Sequence, residues 1–256
     1  MKPIEISKVS EYVERNIGDF HQSRLAKIRS LKLEKVLLRK NIYLFKAKNI
    51  LVSHELVRNL LDAYLSSQEE TLFGNFLEGL AIFINEWVYG GQKSGVPGID
   101  LEFTLSGVRY IVDIKSGPHW GNSNQIKKMK ENFRTAKIII RGTKRSTEVI
   151  AINGCCYGQD NKPDKGEYYK YCGQQFWEFI SGQENLYIDI IVPLGYKAKE
   201  KNDEFAKEYA RLLNSFTVEF TNKYCVDGNI DWAKLVKLNS SKPINKKRNA
   251  QKHRSP

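Results

Sequence analysis

Three carboxylates interrupt the strongly apolar run GIDLEFTLSGVRYIVDIKSG, residues 98–117. Ser106-Gly107 suits a two-residue hairpin turn, which sets Leu105 opposite Val108 and Asp100 opposite Asp113. Side chains alternate between the faces of a strand. Ile99, Leu101, Phe103 and Leu105 therefore share an apolar face with Val108, Tyr110, Val112 and Ile114. Asp100, Glu102, Thr104, Arg109, Ile111, Asp113 and Lys115 take the other face. Directly opposed residues have Cβ atoms roughly 4.5–5.5 Å apart, and like charges placed there repel. Asp100 and Asp113 thus need a cation, a shared proton or abundant solvent. Lys115, two residues past Asp113, supplies part of the positive charge. A hard divalent ion supplies the rest, since Mg²⁺ takes carboxylate oxygens at roughly 2.0–2.1 Å. The plain alternative is a one-sided hairpin with a wet polar face. Against it, strand interiors tolerate Asp poorly.

The flanking elements must hold this hairpin. SRLAKIRSLKLEKVLLRKN, with apolar residues at 25, 28, 31 and 36, has the spacing of one amphipathic helix. SHELVRNLLDAYL follows as a second, with Ser53 as N-cap. A Ser67-x-x-Glu70 capping box then starts a third, apolar to Val88, which YGGQKSGVPG ends. After the hairpin, SGPHWGNS is a loop whose Ser123 caps the helix NQIKKMKENFRTAK. TEVIAING (147–154) and LYIDIIVPL (186–194) have the composition of buried strands, with FWEFI on a short helix between them. NDEFAKEYARLLNSFTVEFTNKY is an amphipathic helix. The expected class is mixed α/β, a central mixed sheet flanked by helices with a helical N-terminal region.

The chain has 256 residues and a net charge of +12, which favours a polyanionic partner, nucleic acid before membrane. Residues 24–48 carry nine Lys or Arg against Glu34 alone, and residues 237–256 carry seven with no acid. No apolar run approaches the roughly 18–20 residues that span a bilayer. The N-terminus lacks the apolar segment of a secretory signal. Four cysteines are too few for a disulfide scaffold, so a reducing cytoplasmic setting is expected. Cys155, Cys156 and Cys172 lack zinc-ligand spacing and suit small buried positions.

Gly98-Ile99-Asp100, a β-hairpin, then Asp113-Ile114-Lys115 resembles the PD-(D/E)XK nuclease signature, with Pro97 displaced by one place. The sequel SGPHWGNSNQIKKM is similar to type II restriction endonucleases. The resemblance covers roughly residues 70–130. It implies a restriction-endonuclease-like fold and Mg²⁺-dependent hydrolysis of double-stranded DNA at a short specific sequence, with one or two ions per active site. It implies Asp100, Asp113 and the Ile114 carbonyl as metal ligands, and Lys115 as the group that orients water and stabilises phosphate charge. Many members add a glutamate on the preceding helix, and Glu78 fits that place. Periodicity instead puts Glu78 at the surface, roughly 140° from the stripe of Phe73, Phe76, Leu77, Leu80 and Ile84. Glu70, Glu86 and Glu102 are the other candidates.

On this basis residues 1–238 form one nuclease domain, with 1–90 mainly helical, 96–195 the catalytic sheet core and 202–224 a C-terminal helix. Residues 239–256 form a basic, flexible tail. Ser116, His119, Asn122, Ser123 and Asn124 stand just past the lysine, where they can touch phosphate or base edges. Lys162 and Lys165, interleaved with tyrosines, also suit DNA contact. A palindromic target would call for a homodimer, and restriction for a cognate DNA methyltransferase, in a prokaryotic cytoplasm. Two alternatives stay open at this point: a repair or recombination nuclease of the same fold, and a non-catalytic nucleic-acid binder.

Overall fold

The computed structural model describes residues 2–142 and 148–242. In chain order the elements are α1 (Ile6–Arg29), α2 (Leu33–Arg39), α3 (Ile42–Ala47), α4 (Ser53–Tyr89), β1 (Gln92–Lys93), β2 (Leu101–Leu105) and β3 (Val108–Lys115). Then come α5 (Ser123–Arg141), β4 (Val149–Cys155), β5 (Tyr169–Cys172), α6 (Gln174–Ser181), α7 (Leu186–Asp189) and α8 (Ile191–Leu194). The chain ends in α9 (Ala198–Tyr224), β6 (Cys225–Val226), β7 (Asn229–Ile230) and α10 (Trp232–Ser240). The fold is mixed α/β. Two compact units divide the chain: unit 1 holds residues 1–25 and 68–204, unit 2 residues 26–67 and 205–256.

Unit 1 is built on a five-stranded sheet in the order β1-β2-β3-β4-β5. The β1–β2 and β2–β3 pairs are antiparallel, while β3–β4 and β4–β5 are parallel. The hairpin register follows from its turn. Leu105 pairs with Val108 and Leu101 with Val112, and Ser106 (φ 50°) and Gly107 (φ 82°) both take the left-handed conformation a primed turn requires. The apolar face packs Leu101, Phe103, Val112 and Ile114 against Leu80 and Ile84 of α4 and Trp177 and Ile180 of α6. The opposite face is covered rather than wet. There Met129, Phe133 and Ala136 of α5 pack with Ile111, Val149 and Ala151.

Unit 2 is helical apart from the small β6–β7 hairpin. In it α10 packs on α2 and α3, and the Asn239 side chain donates to the carbonyls of Leu37 (2.7 Å) and Lys40 (3.2 Å). Asn239 and Ser240 therefore belong to α10 and not to a tail. Residues 243–256, the rest of the expected basic tail, lie outside the described residues.

Several local expectations are corrected. Helix formation does not run unbroken through residues 23–41. The apolar step from 31 to 36 is too long for one helical face, so the chain turns at Ser30–Lys32, where Lys32 is extended and Leu31 points inward. Ser67 does not start a helix. Its hydroxyl donates back to the Ala63 carbonyl at 3.0 Å, the mid-helix habit of serine, and α4 runs through it for 37 residues. The segment 186–194 is helical, α7 and α8, not a strand. Leu186 and Ile190, four apart, face inward, and Pro193 has no N–H for a sheet ladder. Asn122, not Ser123, caps α5, in a reciprocal box with Gln125. Ile99 precedes β2, where strand alternation does not apply, and it packs beside Ile111 under α5. No helix among the described residues is long and apolar enough to cross a membrane.

Candidate active site

Asp113 lies on a central strand and is only 6% exposed. Its neighbour in β4 is Asn153, whose side-chain amide donates to the Asp113 carbonyl at 3.2 Å. Asp100 sits just before β2. Its N–H donates to the Val112 carbonyl at 2.9 Å, which continues the hairpin, and its Oδ2 accepts from the Ile114 N–H at 2.7 Å. The two carboxylates are thus brought to one end of the hairpin by backbone pairing.

Lys115 closes the group. Its Nζ donates to Asp113 Oδ1 at 2.5 Å and to the Ile114 carbonyl at 3.1 Å, and lies 3.9 Å from Asp100 Oδ2. The ammonium therefore touches the three oxygen-bearing groups assigned to the metal from the resemblance. The Trp120 ring lies 5.3 Å from the same nitrogen, close enough for a cation–π contact, and its indole N–H donates to Asn153 Oδ1 at 3.1 Å. Asn153 and Trp120 form a bracket, and sequence reasoning gave its asparagine no role. The available signal was an asparagine inside the apolar strand VIAINGCC, an amide that burial obliges to find partners.

Glu78, on α4, lies within range of the Asp100 and Lys115 charges. Four residues earlier on the same face, Gly74 brings the helix against the loop, since a Cβ there would lie 3.4 Å from Ser116 Cβ. Glu78 is not the solvent-facing residue that periodicity suggests. Its side chain is 28% exposed, and Lys93 Nζ lies 3.6 Å from Oε1. Burial, then the Asp100 charge, push its carboxyl above the usual range. Asp113 is pushed up to about 6, first by burial; Lys115 opposes this, and Asp100 and Glu78 add to it.

Asp113 Oδ2 is buried with no hydrogen-bond partner. An orphaned carboxylate oxygen beside a second carboxylate and a backbone carbonyl is an all-oxygen donor set, which fits a hard cation such as Mg²⁺. Among the described residues no three His, Cys, Asp or Glu side chains converge as a ready cluster; the carbonyl of Ile114 would have to complete the set.

Glu102, on the same face, already has partners. It accepts from Gln92 Nε2 at 2.9 Å and pairs with Arg109 at 3.1 Å. Among the described residues, no hydrogen bond or ion pair joins Glu70 or Glu86 to Asp100 or Asp113. Of the DNA-contact candidates, Ser116 adjoins the site at the end of β3, and His119, Ser123 and Asn124 are exposed on the following loop and first turn of α5. Asn122 is occupied as a cap. Lys162 is exposed, while Lys165 is held by Asp160 at 2.8 Å. Lys170 donates to the Pro118 carbonyl at 2.9 Å and ties that loop to β5. Cys155, Cys156 and Cys172 are free and buried.

Compared with known families, residues 7–202 match the family described as type II restriction endonuclease EcoO109I. No curated protein matches the chain.

Proposed function

Because the chain belongs to the EcoO109I family of type II restriction endonucleases, we propose that Asp100, Asp113 and Lys115 cut double-stranded DNA with Mg²⁺ at a short specific sequence. The observation that carries this is the buried, unpartnered Asp113 Oδ2 beside Asp100 and a lysine. In this reading Asp100, Asp113 and the Ile114 carbonyl hold one Mg²⁺, and Glu78 borders the position where a second would sit. The bound ion would supply Lewis-acid stabilisation of phosphate charge and a more acidic water.

The chain's own groups do the rest. Lys115 orients the attacking water and donates to the oxygen on which negative charge grows, a preorganised electrostatic role. Trp120 and Asn153 limit where its ammonium can go. Asp113, packed between β2 and β4, presents its oxygens at a fixed place, so little reorganisation accompanies substrate binding. Ser116, His119, Asn122, Ser123 and Asn124 follow the lysine and would contact the DNA flanking the cut, with Lys162 and Lys165 as further phosphate contacts. One such site per chain and two strands to cut favour a homodimer on a palindromic target, with a cognate methyltransferase protecting the host DNA of a prokaryotic cytoplasm.

Phage DNA incubated with the purified protein and Mg²⁺ should yield discrete bands, and none in EDTA. A smear would mean cutting without sequence choice; uncut DNA would refute the proposal.

A further inference from the structure

The net charge is not shared between the two units. By sequence, unit 2 has 20 Lys and Arg against 7 Asp and Glu, a balance of +13, while unit 1 has 21 against 22, a balance of −1. The unit that carries the candidate active site is close to neutral, and the helical unit carries the whole excess. Among the described residues of unit 2 the ratio is still 15 to 7.

Local structure concentrates these cations. Lys35 and Arg39, four apart, line the exposed stripe of α2 opposite buried Leu33, Val36 and Leu37, with exposed Lys32 at its N-cap. The packing of α10 on α2 and α3 adds exposed Lys234 and Lys237 to the same three-helix group. Lys46 of α3 lies 5.2 Å from the Trp232 ring of α10, which joins the two helices without neutralising the charge. Among the described residues, none of Lys32, Lys35, Arg39, Lys234 or Lys237 is in an ion pair. Of the nearby acids, the Asp231 carboxylate caps α10 by accepting from the Lys234 N–H, and exposed Glu34 forms no ion pair with these bases among the described residues.

We infer that this three-helix group of unit 2 is a sequence-independent holding surface for the phosphate backbone of duplex DNA, separate from the residues that cut. The inference rests on DNA being the substrate. Unneutralised, closely spaced bases on rigid helices are what backbone binding by counterion release requires. The same unit exposes Leu38, Tyr43 and Leu44, so a second copy of the chain is the competing occupant. A two-fold contact would set this surface against its own like charges, which favours DNA.

The test is a full-length variant, K32Q/K35Q/R39Q/K237Q, and its binding to a 30-base-pair duplex without metal, followed by anisotropy across KCl concentrations. Each lost phosphate contact lowers the slope of log K against log salt by about 0.9. The expected result is a slope smaller by about 3 to 4 and at least about tenfold weaker binding at 0.1 M salt, with unchanged helical circular dichroism. The charge-retaining K32R/K35R/R39K/K237R chain should keep the native slope. A native slope in the neutralised variant overturns the inference, and so does loss of self-association by sedimentation with DNA binding intact. An Asp113→Ala chain should bind with the native slope yet fail to cut, so cutting reports on the proposed active site and the salt slope on this surface.

Discussion

Two buried carboxylates share one face of the β2–β3 hairpin, and they differ in almost every other respect. Glu102, 8% exposed, is surrounded by donors from Gln92 and Arg109. Asp113, 6% exposed, has one oxygen paired with Lys115 and the other with nothing. Burial alone does not distinguish them. A satisfied buried carboxylate closes a structure, whereas one with unmet coordination, next to a second carboxylate, asks for a ligand.

The largest test separates the two directly. Asp113→Ala should lower the rate of phage-DNA cleavage in Mg²⁺ by at least about 10³-fold, several kcal/mol of lost charge stabilisation. Glu102→Gln should cut at nearly the native rate while losing about 1–3 kcal/mol of stability, because Arg109 is left without its charge partner. Cleavage abolished in a folded Glu102→Gln protein would break the comparison. Glu78→Gln should cost an intermediate 10- to 100-fold in rate, with the loss partly recovered at higher Mg²⁺ concentration; no loss would remove Glu78 from the site.

A thermal measurement sharpens the same contrast in the metal-free protein. Because burial raises the Asp113 carboxyl to about 6, the folded state favours its protonated form. That contribution is full below the ordinary aspartate range and is lost as pH rises through about 6. Asp113→Asn should therefore melt higher than the native protein above pH 6 in EDTA, by up to about 3 kcal/mol, and the gain should vanish below pH 4. An equal difference at both pH values would mean that charge is not its cause. The smallest expected effect is at Trp120→Phe, which keeps a ring near Lys115 but removes the N–H to Asn153. Its cleavage rate should fall by less than about tenfold, and an inactive, folded variant would give the indole a larger part than positioning.

The hairpin was readable because it is local. A two-residue turn with both residues at positive φ sets the register, and the register sets which residues oppose. Ile99 shows where that logic stops, one residue outside the strand. Residues 186–194 show a different failure, since a short β-branched run has no period of its own and the inward positions of Leu186 and Ile190 emerge only on packing. Ser67 carries a cap signature that a longer helix overrides, its hydroxyl donating to the Ala63 carbonyl one turn back.

From the sequence alone came the turn, the opposition of Asp100 to Asp113, the nearby lysine and the excess of positive charge. These depend on neighbours a few residues apart and on composition. Only tertiary structure decided that α5 covers the polar face, that Glu78 is partly buried within range of the Asp100 charge, and that Glu102 is satisfied while Asp113 is not. It also decided that the positive charge gathers in the unit without the carboxylates. Each of these turns on contacts between residues far apart in the chain, where periodicity reports which side of an element is apolar but not what lies against the other side.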